Sequence, residues 1–188
     1  MRKLVWLCGL FLAVSVPAMA QDEAPKVELF AGYSYVRVSV DTSKLGGPGT
    51  LGLNANGGSA SAAFNANNWF GLVADFGGYK ISQTVKKVNV DTNVFSYLFG
   101  PRLSFRRGPI VPFGQVLVGG ARLANSLKKS TTPEEAFALT AGGGLDWKAS
   151  QHLGIRLIQA EYFLTRFNDN NTNRQNNARF SFGVIIRF

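Results

Sequence analysis

The chain has 188 residues, enough for one closed domain. Its charged fraction is low at 16%, it holds 21 glycines and 15 phenylalanines, and its formal net charge is +9. A single cysteine, Cys8, excludes a disulfide framework and a thiolate metal cluster.

Arg2 and Lys3 precede a short apolar run from Leu4 to Val16, followed by Pro17-Ala18-Met19-Ala20. This is the pattern of a secretory signal peptide cleaved after Ala20. The run is too short to cross ~30 Å of hydrocarbon as a helix. Cys8 comes too early for a lipoprotein acceptor and reads as apolar filler in a discarded leader. The expected organisation is a signal peptide over 1–20 and one domain over 21–188. Loss of Arg2 and Lys3 lowers the net charge from +9 to +7. An exported basic protein meets lipid phosphates rather than nucleic acid.

Beyond the leader, alternation with a period of two recurs. Val27, Leu29, Ala31, Tyr33 and Tyr35 oppose Glu28, Gly32 and Ser34. Ala60, Ala62, Phe64 and Ala66 oppose Ser59, Ser61 and Asn65. Phe70, Leu72, Ala74 and Phe76 oppose Gly71, Asp75 and Gly77. Phe95, Tyr97, Phe99, Leu103 and Phe105 oppose Ser96, Gly100, Arg102 and Ser104. The segment from Ile110 to Arg122 is apolar on both faces, with Gln115 as its one polar guide. Phe137, Leu139, Ala141, Leu145 and Trp147 oppose Thr140, Gly142, Gly144 and Asp146. From Leu153 to Arg166, Arg156 falls on one parity and Gln159 and Glu161 on the other. A β-bulge near Leu157–Ile158 brings them to one face. The last segment is the cleanest: Phe180, Phe182, Val184, Ile186 and Phe188 form one face, against Arg179, Ser181, Gly183, Ile185 and Arg187.

Eight strands result, and their connections alternate in length. Asn67-Asn68, Arg106 to Pro109 and Lys148 to Gln151 are tight. Ser39 to Gly57, Lys80 to Asp91, Leu123 to Glu135 and Phe167 to Asn177 are long and polar. This sorting predicts an all-β fold, an eight-stranded antiparallel up-and-down transmembrane β-barrel with short periplasmic turns and longer outer loops. An open sheet in lipid leaves an unpaired edge, so Val27–Arg37 should pair with Arg179–Phe188. Trp69, Phe105, Trp147 and Phe188 should form an aromatic girdle at the periplasmic end. A soluble lipocalin-like barrel is the architectural alternative.

The segments Phe30-Ala31-Gly32-Tyr33-Ser34-Tyr35, Pro112 to Gly120, Gly142-Gly143-Gly144-Leu145-Asp146 and Arg156 to Tyr162 resemble the OmpA-like outer-membrane β-barrel family. The resemblance extends over the whole mature chain. It implies residence in the bacterial outer membrane. Classical members continue into a peptidoglycan-binding domain, and this sequence stops at its last strand, so a tethering role is not expected. The ladder Phe180, Phe182, Val184, Ile186 and Phe188 resembles the C-terminal signal read by the barrel assembly machinery.

Candidate functional residues fall into two sets. Glu28, Asp75, Arg102, Gln115, Arg156, Glu161, Arg179 and Arg187 are expected in the lumen, where charges must pair. An eight-stranded barrel is only just wide enough for side chains to fill it. The network therefore reads as structural filling, with a gated pathway for small ions as the alternative, and Glu28–Arg187 is expected across the closing seam. Lys44, Lys80, Lys86, Lys87, Lys128, Lys129 and Arg174 are expected on outer loops. Lys80, Lys86, Lys87, Lys128, Lys129 and Arg174 are the candidate contacts to lipopolysaccharide phosphates. The Asn-rich stretch from Asn168 to Asn177 reads as a loop.

No catalytic or metal-binding set is legible. His152, the one histidine, falls at a periplasmic turn with no nucleophile or acid arranged around it. No phosphate-binding loop or metal-spaced cluster is present, and no cofactor is expected. The expected role is structural or interactive in the outer membrane. Other readings are a narrow pore, and more remotely a lipid-modifying enzyme or a surface adhesin. The expected partners are outer-membrane lipids, with lipopolysaccharide among them, and the assembly machinery.

Overall fold

The computed structural model describes residues 24–41, 50–85, 88–125, 134–167 and 173–188. The leader assigned to residues 1–20 and Lys44 lie outside them. Eight strands follow one another: β1 Val27–Asp41, β2 Thr50–Asn65, β3 Phe70–Val85, β4 Val88–Ser104, β5 Ile110–Asn125, β6 Glu134–Lys148, β7 Leu153–Phe167 and β8 Asn173–Arg187. Each pairs antiparallel with the next, and β1 pairs with β8 to close the barrel. At the seam Glu28 faces Arg187, Gly32 faces Gly183 and Val38 faces Asn177. Closure gives the backbone of the first and last strands the partners that lipid cannot supply.

The strands run further than alternation indicates. Segments expected as long loops contribute strand at their ends: β2 starts at Thr50, and β3 and β4 continue to Val85 and from Val88. The pairings Ser82↔Asp91 and Thr84↔Asn89 extend a β3–β4 ribbon through residues expected to be loop. Polar outer segments lack a contrast between faces, so periodicity cannot register them, yet the paired backbone continues. The short connections fall where expected. Asn67 Oδ1 accepts from the Trp69 and Phe70 N–H groups, and the Leu153 N–H donates to Ser150 Oγ.

The outward face is apolar. Phe64, Trp69, Phe76, Phe99, Leu103, Val116, Phe137, Leu157, Phe182 and Ile186 are all exposed. Along β4 and its first following residue the apolar face runs from Phe95 to Phe105; about ten residues at ~3.3 Å each, tilted by ~40°, span ~25 Å. Trp69, Phe105, Trp147 and Phe188 ring the end where β1 begins and β8 ends. Towards the other end, the hydroxyls of Tyr33, Tyr35 and Tyr162 donate to Asn56, Asn54 and Asn176. Rings on apolar wall with hydroxyls turned to polar side chains mark a water–lipid boundary.

The bulge in β7 is present. Arg156 pairs with Gly183 and Gln159 with Ser181, so three steps on β7 match two on β8. Leu157 and Ile158 both face outward, and Arg156, Gln159 and Glu161 all face the lumen.

Candidate functional site: the filled lumen

Three layers of side chains fill the lumen. The first lies nearest the start of β1 and the end of β8. Asp146 on β6 accepts from Arg102 Nη2 at 2.7 Å, from Arg156 Nε at 2.8 Å and from Arg156 Nη2 at 3.1 Å. Arg156 Nη1 donates to Gln159 Oε1 at 2.6 Å. Glu28 gathers three arginines: Arg187 Nε at 3.2 Å, Arg102 Nη1 at 3.4 Å and Arg106 Nη2 at 3.4 Å. Arg106 also donates to the Asn68 carbonyl and to Asn65 Oδ1, closing this end from the β4–β5 turn. The guanidinium of Arg156 lies 4.3 Å from the Phe30 centroid and 4.4 Å from that of Phe113, and Arg102 lies 4.1 Å from Phe113. Aromatic faces thus supply attraction where carboxylates are too few.

Arg179 organises the middle layer. Its Nη1 donates to Asp75 at 2.7 Å and to the Tyr79 hydroxyl at 3.1 Å, and its Nε to Glu161 at 2.6 Å. Gln115 Nε2 donates to the other Glu161 oxygen at 2.8 Å. Ser34 Oγ lies 2.6 Å from both Ser59 and Ser181, tying β8, β1 and β2 together beneath the seam. The third layer is mostly apolar: Val36, Ala55, Leu98, Leu117, Ala121, Ala138 and Phe163 pack with Tyr79, Leu98, Leu117 and Ala138 are fully buried, and the buried Ser96 and Thr140 stand among them.

Small residues make this filling possible. A Cβ on Gly144 would sit 2.9 Å from the Phe113 ring, and one on Gly154 would sit 2.8 Å from Arg187 Nη1. The glycines are the seats for these larger groups.

All eight lumen residues chosen from the sequence are buried. The structure divides them: Glu28, Arg102, Arg156 and Arg187 in the first layer, and Asp75, Gln115, Glu161 and Arg179 in the second. Four partners escaped that choice. Asp146 shares the polar parity of β6 and is the hub of the first layer. Gln159 follows once the bulge is placed. Tyr79 ends an alternating run, and Arg106 belongs to a turn that folds inward. Among the described residues, the buried charges are four carboxylates (Glu28, Asp75, Asp146, Glu161) and four arginines (Arg102, Arg156, Arg179, Arg187), so the lumen is nearly neutral.

Phe180, Phe182, Val184, Ile186 and Phe188 all face outward, with Phe188 66% exposed. The Phe188 and Val27 backbones exchange hydrogen bonds at 2.9 and 3.2 Å, so the last residue is part of the seam. His152 is exposed in the β6–β7 turn, and its carbonyl accepts from Arg187 N–H. Lys80 is exposed on β3. Lys86, Lys87, Lys128 and Lys129 lie outside the described residues, and Arg174 is placed as a backbone position on β8. Among the described residues no group of His, Cys, Asp or Glu is arranged to hold a metal ion.

An apolar outer wall, an ion-paired interior and full closure define a small eight-stranded transmembrane β-barrel. The chain matches the outer membrane protein beta-barrel domain family over residues 6–188 and belongs to it. The small-barrel resemblance read from the sequence holds at this level, and it places the protein in the bacterial outer membrane. The fold is similar to that of Neisserial surface protein A, with a TM-score of 0.70 at 15% identity over 89% of this chain and 100% of that one. It is similar to Ail, the attachment invasion locus protein of Yersinia pestis, whose structure holds a heparin analogue (TM-score 0.57, 19% identity, 88% of this chain and 99% of that one). The N-terminal β-barrel domain of Pseudomonas aeruginosa OprF gives a TM-score of 0.52 at 11% identity, over 89% of this chain and 100% of that domain. At such identities the likeness is one of fold. No curated protein sequence matches the chain significantly.

Proposed function

We propose that this protein is a non-conducting, non-enzymatic barrel with a structural or interaction role in the outer membrane. The observation that carries this reading is the stacked filling of the lumen. A solute crossing it would have to part Arg179 from Asp75 and Glu161 and then pass the Leu98–Leu117–Phe163 layer. Removing one partner from a buried ion pair costs about 3–5 kcal/mol. The apolar layer offers a permeating ion nothing in return. The buried carboxylates are committed to arginines, and His152 is exposed at a turn, which supports a role without catalysis.

On this reading residues 1–20 are a cleaved leader, the end where β1 begins and β8 ends faces the periplasm, and outer-leaflet lipids are the constant partners. The assembly machinery engages the ladder ending at Phe188. Liposome swelling tests the closed lumen. Vesicles carrying the purified, folded protein should swell in a small sugar no faster than protein-free vesicles, and porin-like swelling would sink the reading. A narrow ion pathway finds support in buried polar atoms of the lumen that meet no protein partner, Arg102 Nε, Arg187 Nη1, Ser96 Oγ and Thr140 Oγ1 among them. Planar-bilayer conductance that changes on Arg102→Ala would favour that pathway.

A further inference from the structure

The charge of the lumen nearly cancels in total, but it is unevenly shared between the layers. The layer at the start of β1 and the end of β8 holds four arginines, Arg102, Arg106, Arg156 and Arg187, against Glu28 and Asp146. Four positive charges against two negative ones leave an excess of two. The next layer holds Arg179 against Asp75 and Glu161, which leaves one negative charge over. The surplus of cation therefore sits at one end.

Glu28 shows the shortage of acceptors in its distances. A charge-assisted hydrogen bond between a guanidinium and a carboxylate ordinarily spans ~2.7–2.9 Å. Asp146 serves two arginines and keeps its closest contacts at 2.7 and 2.8 Å. Glu28 is shared by three, and holds Arg187 at 3.2 Å and Arg102 and Arg106 at 3.4 Å each. One carboxylate cannot draw three guanidinium groups to full contact. Two N–H groups of the same layer, Arg102 Nε and Arg187 Nη1, meet no protein acceptor at all. They belong to residues only 3% and 4% exposed.

A guanidinium does not shed its proton in a protein, so the excess must be met from outside the side-chain set. The faces of Phe30 and Phe113 supply part of the attraction. Water would satisfy a free N–H but brings no charge. A small anion supplies both an acceptor and the missing charge. The free donors are single N–H groups on separate guanidiniums, not a fork, which suits a spherical monoanion better than a phosphate or a carboxylate. Access is short: Arg106, from the β4–β5 turn, is the least buried of the four at 11% and lies between this layer and the solution.

We propose that this layer is a binding site for a small monoanion, chloride or another halide, which accepts from the unpaired N–H groups of Arg102 and Arg187 beside Glu28. The site goes beyond the closed-lumen reading and does not depend on it. A resident ion balances charge in one layer and needs no path through the next.

Crystals of the full, folded protein grown in bromide test the position. Anomalous scattering should place a bromide within hydrogen-bonding distance of Arg102 Nε or Arg187 Nη1. A lumen without bromide there overturns the proposal and leaves water on the free donors. Urea unfolding in lipid vesicles at constant ionic strength, with chloride replaced by gluconate, tests the energetics. Once chloride exceeds its dissociation constant, each tenfold rise should increase the folding equilibrium constant about tenfold. Arg187→Gln should flatten this dependence. Arg37→Gln, which removes an exposed cation elsewhere on β1, should leave it unchanged. Equal stability in the two salts overturns the proposal, and so does a chloride dependence that persists in Arg187→Gln. Should Arg187→Gln not fold, the bromide position decides alone. Porin-like swelling of vesicles would sink the closed-lumen reading and leave this site standing.

Discussion

Asp146 shows what a single side chain can hold in a nearly neutral lumen. It has no exposed surface and accepts three hydrogen bonds from two arginines. Asp146→Ala leaves Arg102 with the 3.4 Å contact to Glu28 and the Phe113 face, and leaves Arg156 with Gln159 and two aromatic faces. The expected loss is about 3–5 kcal/mol, read by urea unfolding of the protein in lipid vesicles. Ser34→Ala removes two hydroxyl contacts at the seam and should cost about 1–2 kcal/mol in the same assay. A larger loss at Ser34 than at Asp146 would mean that the seam, rather than the ion pairs, limits stability. Of these two residues, alternation put both on the polar face, but nothing in the sequence made Asp146 a hub. Its partners come from β4 and β7, and the distance across the lumen is set by barrel closure. Arg179 likewise meets Asp75 from β3 on the far side of the seam.

At the level of elements, the β7 bulge and the end of β8 make separable predictions. Leu157 is the extra residue between Arg156 and Gln159. Deleting it leaves Arg156 and Gln159 one residue apart, which ordinary alternation also turns to the lumen. Deleting Ala160 instead turns Glu161 and Phe163 out of phase and puts a carboxylate against lipid. The Leu157 deletion should therefore keep heat-modifiable folding and the Ala160 deletion should lose it; the reverse result would contradict the register. Deleting Phe188 removes the exposed foot of the ladder and its two backbone bonds to Val27. It should slow assembly into membranes more than it lowers the stability of barrels already folded. A normal assembly rate would exclude the assembly role of the ladder. The bulge was legible because three polar residues on conflicting parities leave one economical solution. The extended outer ends of β2, β3 and β4 were not, because polar residues on both faces carry no period.

The whole molecule is a closed cylinder whose function turns on what fills it. Beyond the Arg179 layer, Leu98, Leu117 and Phe163 fill the lumen together with the buried Ser96, Thr140 and Asn177. A triple variant, Arg179→Ala, Leu98→Ala and Leu117→Ala, removes the centre of the ionic layer and part of the apolar one. In planar bilayers it should conduct where the wild type does not. A silent triple variant would place the barrier elsewhere, in the layer around Glu28 and Arg106.

Alternation alone carries the strand count, the antiparallel order, the outward face and the closing pair. Each of these follows from a two-residue period in polarity together with the rule that lipid tolerates no unpaired backbone. Which arginine meets which carboxylate, and that Leu98, Leu117 and Phe163 pack together in the lumen, emerge only on folding. The physical reason is common to both. Alternation assigns a residue to a face, whereas contact depends on tilt and register. These bring residues from distant strands to one height, and the sequence pattern does not encode that height.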